Sequence, residues 1–494
     1  MDPINLLQEA ANQSPHTTAV IDMDSGQQYT YSELLNVVKK RAVGLKNAGI
    51  NAGDQVGLLI SRKLEFFLTV HAVWFRNATA VPMHLKLTQH ELSRQTNLLD
   101  LNCLLCDSET ENLAVNASSS AVYSLDEPKI SAVTPLEESE LININPVVPD
   151  SEDPWLIMFT SGTTSHPKAV VLTYKNLVCS ARATRQFPGS NPGNLWLDPL
   201  PLYHMGGMAP IIRACLNQTT LLLSPFTFDT LSQALNSFPP TGISIVPTML
   251  NDWFRQGFDA PDELEIILLG GASIPADLVQ QCKQRDLPIY PTYGMTETGS
   301  QIATATPDEA YEYGGQVARP LDTVDITIVN SSNRELSIGN EGEIVVDGPM
   351  VMDRYYNNPE ANNHAFSSHG FHTGDIGHLS QSGLLWVKGR RADRIVTGGE
   401  NVEPDEVKQV LESHDRIREA SVVGLEHPRW GQQVAALIVP NDNQPLNPEE
   451  IKSYCCNQLA GYKCPRLIEF VDELPRTSSG TVDRDLVRRD ITSR

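Results

Sequence analysis

The sequence predicts an α/β fold: a large N-terminal domain of βα layers with a small barrel-like subdomain, then a small C-terminal α+β domain. Three observations support this fold class. Amphipathic helical patterns alternate with short β-rich runs along most of the chain, which favours parallel strand pairing. The alternation changes to strand, turn and strand between Ile326 and Val346, and a new αβ pattern starts after Gly389.

The first elements alternate regularly. Apolar residues at helical spacing predict a helix over 31–48, which Gly49 ends. A buried strand over 56–60, a second helix over 65–76 and a strand over 80–83 follow. The same alternation recurs through the apolar runs at 221–223, 243–246 and 266–269.

The later part of the chain divides at turn-rich segments. Residues 337–342 are typical of a turn between two antiparallel strands. We predict an N-terminal domain over 1–389, a hinge over 390–393 and a C-terminal domain over 394–494. Within the last domain we predict helices at 405–413 and 448–459 and strands at 420–424 and 434–439.

Composition limits the partners. The 494 residues include 37 Lys and Arg against 60 Asp and Glu, a formal net charge of −23. Such a surface repels nucleic acid and anionic lipid at long range, so we expect neither as a partner. No apolar run approaches the roughly 20 residues that span a bilayer, and the start lacks the pattern of a signal peptide. We therefore expect a cytoplasmic protein without membrane insertion.

The 8 cysteines lie mostly in apolar runs. Cys103 and Cys106 lack a second ligand pair, so buried packing is favoured over metal or redox chemistry. We expect the same for Cys455, Cys456 and Cys464.

A hydroxyl- and glycine-rich segment from Phe159 to Lys168 lies between two apolar runs. Backbone N–H groups, hydroxyls and a lysine in such a loop can surround phosphate oxygens. No helix follows the lysine directly, so this is not the phosphate loop that opens a helix. A flexible surface turn is the alternative, since Ser, Thr and Gly clusters are common in loops.

Later segments add to this indication. Thr296 and Glu297 lie in a short turn after an apolar run, where a hydroxyl and a carboxylate suit Mg²⁺ and phosphate oxygens. Asp375 follows another turn, where it can accept hydrogen bonds from a ribose diol. The segments around Arg390 and Gly398 come next in order. Each segment is a weak signal alone, and the ordered set predicts a nucleotide site.

With this set in place, nearly the whole chain, from Tyr31 to Gly480, resembles the adenylate-forming superfamily of acyl- and aryl-CoA synthetases, luciferases and peptide-synthetase adenylation domains. The resemblance implies a mobile C-terminal domain that rotates between two half-reactions. In the first, a carboxylate attacks the α-phosphate of ATP to give an acyl-adenylate and pyrophosphate. In the second, a thiol, usually that of coenzyme A, takes the acyl group.

The resemblance also implies roles for single residues. The loop for the β- and γ-phosphates comprises Thr160, Ser161, Gly162, Thr163, Thr164 and Lys168. The adenine, α-phosphate and ribose positions are Gly270, Gly271, Ala272, Tyr293, Gly294, Thr296, Asp375 and Arg390. Glu297 and Thr164 are implied as Mg²⁺ ligands, and Lys168, His204 and Glu297 as catalytic residues.

The acid and thiol side is assigned in the same way. His204 matches a gate beside the acyl pocket, with a histidine at the edge of the core as the alternative. Val246 falls in the wall of that pocket, which we predict to be mostly apolar. The loop that lines the thiol tunnel contains Gly398, Gly399 and Glu400.

Two further positions are less determined. Ala392 falls at the hinge, where the usual Asp or Lys is missing. Lys463 has two alternatives of equal weight, a contact with a coenzyme A phosphate or a solvated side chain.

The main departure from the superfamily is Thr481. The signature carries a lysine after its glycine, whereas Thr481 follows Gly480 here, with Pro475, Thr477 and Arg484 in place. The resemblance implies that this lysine bridges the carboxylate and the α-phosphate in the transition state. Losing one preorganised donor typically costs about 10²–10³ in rate, so we expect impaired adenylation.

Three interpretations of Thr481 remain. Loss of the lysine leaves thioester formation intact; or Lys463, Arg476 or Arg484 replaces it; or the protein is a catalytically silent nucleotide-binding protein. The first is favoured because the other nucleotide residues are kept.

The overall likeness is to o-succinylbenzoate–CoA ligases of menaquinone biosynthesis, with another aryl or medium-chain acid as the alternative. The expected partners are a small carboxylic acid, ATP with Mg²⁺, and coenzyme A. The sequence leaves the oligomeric state open, a homodimer included.

Overall fold

The computed structural model describes residues 4–127, 141, 143–160, 167–272, 274–390, 394–441, 446–476 and 482–492. The chain divides into two compact units. The first unit comprises Met1–Leu85, Thr96–Met158 and Ala169–Gly389, and the second comprises Lys86–Gln95, Phe159–Lys168 and Arg390–Arg494. No sequence pattern indicated that the segments 86–95 and 159–168 belong with the C-terminal part.

Fifteen α-helices form within the described ranges. In chain order they are α1 Leu6–Gln13, α2 Tyr31–Asn47, α3 Lys63–Phe75, α4 Gln89–Leu98, α5 Glu111–Ala117, α6 Tyr174–Ala183, α7 Met205–Asn217, α8 Phe228–Ser237, α9 Pro247–Gln256, α10 Ala276–Gln284, α11 Pro307–Tyr313, α12 Pro359–Ala365, α13 Pro404–Glu412, α14 Pro448–Gln458 and α15 Arg484–Thr492. The helices predicted at 31–48, 65–76, 405–413 and 448–459 are confirmed, with ends that differ by one or two residues. None of the helices in this part of the chain has both the length and the apolarity that crossing a membrane requires.

The strands of the described residues are β1 Thr18–Asp22, β2 Gln28–Thr30, β3 Gln55–Leu59, β4 Thr79–Pro82, β5 Cys103–Cys106, β6 Ala121–Ser124, β7 Pro154–Thr160, β8 Lys168–Thr173, β9 Leu195–Asp198, β10 Thr220–Leu223, β11 Gly242–Ile245, β12 Ile266–Leu269, β13 Ile289–Met295, β14 Ser300–Thr304, β15 Val317–Pro320, β16 Asp325–Val329, β17 Gly342–Asp347, β18 Arg354–Tyr355, β19 Phe366–Ser367, β20 Gly370–Leu379, β21 Leu385–Arg390, β22 Ile395–Thr397, β23 Glu400–Val402, β24 Ile417–His427, β25 Gly431–Pro440 and β26 Leu467–Phe470. They form three sheets.

The largest sheet has the order β16-β17-β20-β21-β15-β14-β13-β12-β11-β9-β10-β1-β2, with β19 beside β20. Its central strands, from β1 through β10, β9, β11 and β12 to β13, pair in parallel. From β13 to β14 and β15 the pairing is antiparallel, as it is between β16 and β17. The predicted strand, turn and strand between Ile326 and Val346 are therefore confirmed.

A second sheet has the order β18-β8-β7-β4-β3-β5-β6 and is parallel at β3, β4 and β5. The third sheet, in the second unit, has the order β23-β22-β25-β24 with β26 beside β25. Its β24 runs over Ile417–His427, six residues longer than predicted, because polar residues at both ends of the strand pair with β25.

Local signals explain where α2 begins. The Thr30 hydroxyl accepts a hydrogen bond from Glu33 N, and the Glu33 carboxylate accepts one from Thr30 N, which together cap the first turn. The Tyr31 side chain is buried, and its hydroxyl donates to the carbonyl oxygens of Ala214 and Thr219. This contact ties α2 to the end of α7.

One cysteine prediction is wrong. Cys456 and Cys464 form a disulfide, with their Cα atoms 5.7 Å apart. Eight residues separate them, and the turn that brings them together has no spacing signature in the sequence. Cys103 and Cys106 are buried as predicted, and burial raises the pKa of each thiol to about 12, which makes both unreactive.

Candidate active site

Two glycines follow β12 at its carboxyl end, where parallel α/β sheets bind ligands. A Cβ on Gly270 would lie 2.6 Å from Cγ2 of Thr292, and a Cβ on Gly271 would lie 3.3 Å from Cγ1 of Val246. Gly271 also has a φ of +80°, which favours glycine. The structure thus brings Gly271 and Val246 together, and Ala272 follows directly. Glycine at both positions therefore allows close packing against Thr292 and Val246 at the predicted adenine positions.

Tyr293 and Asp375 meet although 82 residues separate them. The Tyr293 hydroxyl, on β13, donates to Oδ2 of Asp375, on β20, over 2.8 Å. Asp375 is 2% exposed, and its backbone N–H donates to the hydroxyl of Thr373. The carboxylate is therefore held in one position, where it can accept hydrogen bonds from hydroxyl groups of a ligand.

A single 3₁₀ turn, Thr296–Thr298, positions Glu297. The Glu297 side chain is 7% exposed, and its Oε1 accepts a hydrogen bond of 3.1 Å from the Tyr355 hydroxyl. Its carbonyl oxygen accepts from Met352 N over 2.7 Å. Thr296 is the first residue of this turn, and Gly294 lies near the end of the preceding strand β13. A largely buried carboxylate with a hydroxyl beside it supplies the hard oxygen ligands that Mg²⁺ prefers.

His204 precedes α7 and belongs to a cluster of three rings. Its ring centroid lies 5.2 Å from that of His84 and 4.9 Å from that of Tyr203, and the rings of His84 and Tyr203 are 4.4 Å apart. His204 is half-buried, which is compatible both with a gate beside the acyl pocket and with a histidine at the edge of the core, so its role stays a prediction.

The phosphate loop is described only at its ends. Thr160 ends β7, and its buried Oγ1 makes no hydrogen bond to any described group. Lys168 begins β8 and is half-buried. The positions outside the described residues are Ser161, Gly162, Thr163, Thr164, Ala392 and Thr481. Arg390 ends β21.

In the second unit, Gly398 and Gly399 form the turn between β22 and β23, with φ values of +59° and +83°. Gly398 N donates to the carbonyl oxygen of Trp430, and a Cβ on Gly398 would lie 3.1 Å from the indole ring. Glu400 follows, 6% exposed, and its Oε1 lies 2.9 Å from Nζ of Lys86. Glycine at position 398 therefore lets the turn pack closely against the indole of Trp430.

Trp430 itself is a residue that the sequence analysis missed. The guanidinium carbon of Arg429 lies 4.4 Å from the Trp430 ring centroid, and that of Arg466 lies 5.1 Å away. Two cations against one indole make a local positive patch on an acidic protein. We call Trp430, Arg429 and Arg466 the Trp430 patch. A Trp-Gly pair after a basic residue was its one signal in the sequence.

The prediction that Lys463 could be a solvated side chain is wrong. Lys463 is 7% exposed, and its Nζ lies 2.7 Å from Oε1 of Glu91 and 3.0 Å from Oε1 of Glu406. Burial lowers the pKa of Lys463, but the attraction of Glu406 and Glu91 outweighs that effect and raises it. A contact between Lys463 and a coenzyme A phosphate stays a prediction. In this structure two carboxylates already hold the Lys463 ammonium group.

The first unit also contains a small cavity of about 20 Å³ beside the nucleotide residues. We call it the Arg213 cavity; its walls include Phe187, Trp196, Pro210, Arg213, Leu268 and Gln301. Leu268 lies two residues before Gly270, and Gln301 pairs with Gly294 across β13 and β14. The cavity therefore adjoins the predicted adenine positions.

Arg213 and Gln301 are polar residues in the wall of this cavity, whereas the mostly apolar acyl pocket predicted beside His204 and Val246 stays a prediction. Arg213 is 9% exposed; its Nη2 donates to the Ser300 hydroxyl over 3.1 Å, and its Nε makes no hydrogen bond within the described chain. Burial lowers the pKa of Arg213 to about 10, although Asp198 opposes this, so the guanidinium stays charged at neutral pH. Gln301 is 3% exposed, and neither its Oε1 nor its Nε2 has a partner among the described groups. Buried polar groups of this kind mark a site for a polar ligand.

Comparison with known proteins agrees with this geometry. The chain matches the sequence profile of the family described as AMP-binding enzyme over residues 7–356 and that of the AMP-binding enzyme C-terminal domain over 406–481. It is 34% identical to the 2-succinylbenzoate–CoA ligase of Bacillus licheniformis over 485 residues, which cover 98% of this chain and 99% of that protein.

Two solved structures of o-succinylbenzoate coenzyme A synthetase (MenE) from Bacillus subtilis also match. A double mutant bound to the product analogue OSB-NCoA is 31% identical, with a TM-score of 0.91 and coverage of 100% of this chain and 99% of the other. The complex with ATP and a magnesium ion is 30% identical, with a TM-score of 0.71 and full coverage of both chains. The α/β fold, with a large N-terminal and a smaller C-terminal domain, is the fold of these proteins.

Proposed function

Because the chain belongs to the AMP-binding enzyme family, we propose that it is an ATP-dependent acid–CoA ligase whose acid is o-succinylbenzoate. In the first half-reaction an oxygen of the acid's carboxylate bonds to the α-phosphorus of ATP as the bond to pyrophosphate breaks. In the second, the thiol sulfur of coenzyme A bonds to the acyl carbon as AMP leaves, and the thiol proton passes to solvent. The related ligases carry succinylbenzoate in their names, and the Arg213 cavity supports the same acid here.

The Arg213 cavity is the observation that carries the choice of acid. o-Succinylbenzoate has a second carboxylate, which an apolar pocket would reject because of the cost of desolvating a charge. Arg213 offers guanidinium N–H groups and Gln301 an amide N–H, all buried. The cavity holds about 20 Å³, so its walls must move when the acid enters. An aryl or medium-chain acid without that second charge would leave both polar groups unsatisfied.

The binding of ATP is proposed from the residues that adjoin the Arg213 cavity. Gly270 and Gly271 give the adenine ring close access to the backbone, and the Asp375 carboxylate accepts hydrogen bonds from the ribose hydroxyls. Glu297, with Thr164, would hold Mg²⁺ through oxygen atoms. When bound, that ion neutralises phosphate charge.

The coenzyme A side rests on the second unit. The Trp430 patch presents two guanidinium groups to anionic phosphates, and the turn at Gly398 and Gly399 packs against the same indole. On an acidic protein, such a patch gives a polyphosphate a local attraction.

We also propose that Thr481 impairs the first half-reaction and leaves the second intact. Each cation that could replace the missing lysine already has a carboxylate partner. Lys463 is held by Glu91 and Glu406. Arg476 pairs with Glu419 at 2.5 Å, and Arg484 pairs with Asp405 at 2.6 Å. These pairs argue against rescue.

The test is a paired assay of the chain and its Thr481→Lys variant, with pyrophosphate release measured in ATP, Mg²⁺, coenzyme A and either o-succinylbenzoate, benzoate or a medium-chain acid. We expect the variant to gain about 10²-fold or more, and only on o-succinylbenzoate. Thr481→Ser, which keeps a hydroxyl, is the matched control and should gain nothing. The unaltered chain should still form thioester from preformed acyl-adenylate and coenzyme A.

Other outcomes would select the alternatives. Preference of Thr481→Lys for benzoate or a fatty acid would replace o-succinylbenzoate with that class. Binding of ATP without turnover of any acid or any acyl-adenylate would indicate a silent nucleotide-binding protein.

A further inference from the structure

Asp198 is a buried acid with no role in the reaction described so far. It ends β9, two residues after Trp196, so both side chains project from the same face of the strand. Asp198 is 0% exposed. Its Oδ1 accepts a long hydrogen bond of 3.3 Å from Leu200 N, and its Oδ2 makes none within the described structure. Trp196 forms a wall of the Arg213 cavity, which places Asp198 on the same side of the sheet.

The charged groups around Asp198 come from three elements. Lys63, on α3, donates from Nζ to the carbonyl oxygens of Asp198, Leu200 and Ser224 at 2.8–2.9 Å. Arg213, on α7, interacts electrostatically with Asp198. Behind Lys63, the end of β1 and its turn contribute Asp22 and Asp24. Asp198 thus has two cationic neighbours, Lys63 and Arg213, and Arg213 borders the cavity.

We propose that Asp198 is a positioning residue that acts through Arg213, and that binding of the acid's second carboxylate is coupled to uptake of one proton by Asp198. This inference rests on the proposed function. In the empty site the negative charge of the ionised Asp198 interacts with the positive charge of Arg213. When the substrate carboxylate arrives, Arg213 faces two anions, and protonation of one of them removes the repulsion.

The sign and the pH window follow from the charges. Burial raises the pKa of Asp198 to about 7, against the lowering effects of Lys63, the Leu200 N–H and Arg213. A second carboxylate nearby raises that pKa further, so binding favours the protonated form. Below about pH 7 Asp198 is already neutral and binding needs no proton. Above it, affinity for the acid should fall by up to about tenfold per pH unit. The carboxylates of the acid itself stay ionised throughout this range.

The experiment is calorimetric titration of the full chain with o-succinylbenzoate, with and without a non-hydrolysable ATP analogue, between about pH 6 and pH 9. Repeating each titration in two buffers of different ionisation enthalpy gives the number of protons taken up. We expect almost none near pH 6 and close to one near pH 8. Benzoate, which lacks the second carboxylate, should show none at any pH.

The Asp198→Asn variant tests whether Asp198 is the group that takes up the proton. Asparagine keeps the acceptor for Leu200 N and nearly the same shape, and we expect proton uptake to vanish and the affinity to become flat above pH 7. Asp24→Asn is the matched control, because Asp24 also faces Lys63 and its pKa is also raised, by burial and by Asp22. The Asp24→Asn variant should take up the same number of protons on binding as the unaltered chain. A purely structural role for Asp198 would change affinity equally at every pH.

The outcomes separate the two proposals. No binding of o-succinylbenzoate at any pH overturns the proposed function. Binding without proton uptake by the unaltered chain overturns this inference alone, as does uptake that persists in Asp198→Asn. If Asp198→Asn fails to fold, infrared difference spectra of the unaltered chain decide: binding at pH 8 must create a protonated carboxyl band, and its absence refutes the proposal.

Discussion

The nucleotide residues and the Arg213 cavity adjoin each other, yet the charged side chains of the first are held by hydrogen bonds that the polar groups of the second mostly lack. The carboxylates of Asp375 and Glu297 are each fixed by a tyrosine hydroxyl. In the cavity, Arg213 Nε and both amide atoms of Gln301 are buried without a hydrogen bond in the described structure. Burying a polar atom without a hydrogen bond costs about 1–3 kcal/mol.

The difference separates two tasks. On the proposed function, a prearranged nucleotide site serves every acid equally, whereas the Arg213 cavity discriminates between acids, because only an acid that forms hydrogen bonds with its polar groups offsets the cost of burying them. Substitutions on the two sides should therefore differ in whether their effect depends on the acid. The kinetic predictions below are for the Thr481→Lys background, in which turnover is measurable.

Arg213→Ala is expected to have the largest effect. Removing one partner of a buried charged contact costs about 2–5 kcal/mol, so kcat/KM for o-succinylbenzoate should fall by roughly 10³. Benzoate, without the second carboxylate, should change by less than about threefold. Arg213→Lys keeps the positive charge but lacks the planar guanidinium group. Its kcat/KM for o-succinylbenzoate should lie between that of the protein with Arg213 and that of Arg213→Ala. An equal loss with both acids would mean that Arg213 only supports the fold.

Asp375→Asn tests the nucleotide residues. The neutral amide is a weaker acceptor for ribose hydroxyls than the carboxylate, and charged hydrogen bonds are worth about 1.5–3 kcal/mol. We expect a fall of about 10² in kcat/KM for ATP, the same with o-succinylbenzoate and benzoate. Steady-state kinetics at varied ATP measures it. A loss confined to one acid would break the proposed division of tasks.

Gln301→Met should separate stability from specificity. The thioether side chain has nearly the same length and leaves no unsatisfied amide, so the free energy of unfolding should rise by about 1–2 kcal/mol. The KM for o-succinylbenzoate should rise about tenfold, because one donor to the second carboxylate is lost. Urea unfolding and acid kinetics on the same preparation check both. If stability falls instead, Gln301 has partners that hold the empty cavity together.

Tyr293→Phe should have the smallest effect. It removes the 2.8 Å hydrogen bond to Asp375 and leaves the ring in place. A net loss of about 1 kcal/mol corresponds to roughly a fivefold rise in KM for ATP. The rise should be identical for all acids. A change in acid preference would show that Tyr293 also contacts the acid.

Sequence reasoning succeeded where the signals are local. The capping residues Thr30 and Glu33 sit next to the apolar repeat they start, so the beginning of α2 was readable from a few neighbouring positions. Asp375, by contrast, was expected to follow a turn, whereas the structure places it inside strand β20. The roles of these site residues stay predictions until the assays above are done.

The failures concern long-range burial. Arg213 lies within the apolar run of α7 and Gln301 within the short strand β14, and nothing near either residue indicates that a cavity borders them. Lys463 is buried by Glu91, 372 residues away, so its local sequence resembled that of a surface lysine. Strand β24 exceeded its predicted length because strand ends depend on the partner strand rather than on propensity.

Gly294 has a further consequence for how this enzyme could evolve. A Cβ at this position would collide with the carbonyl oxygen of Ser300 on the paired strand, and Gln301 lies directly opposite. Strand β14, which borders the Arg213 cavity through Gln301, is therefore packed closely against β13, which carries Tyr293. A lineage adapting to a new acid can exchange side chains such as Gln301 one at a time, but any route that moves the backbone of β14 would first damage the use of ATP.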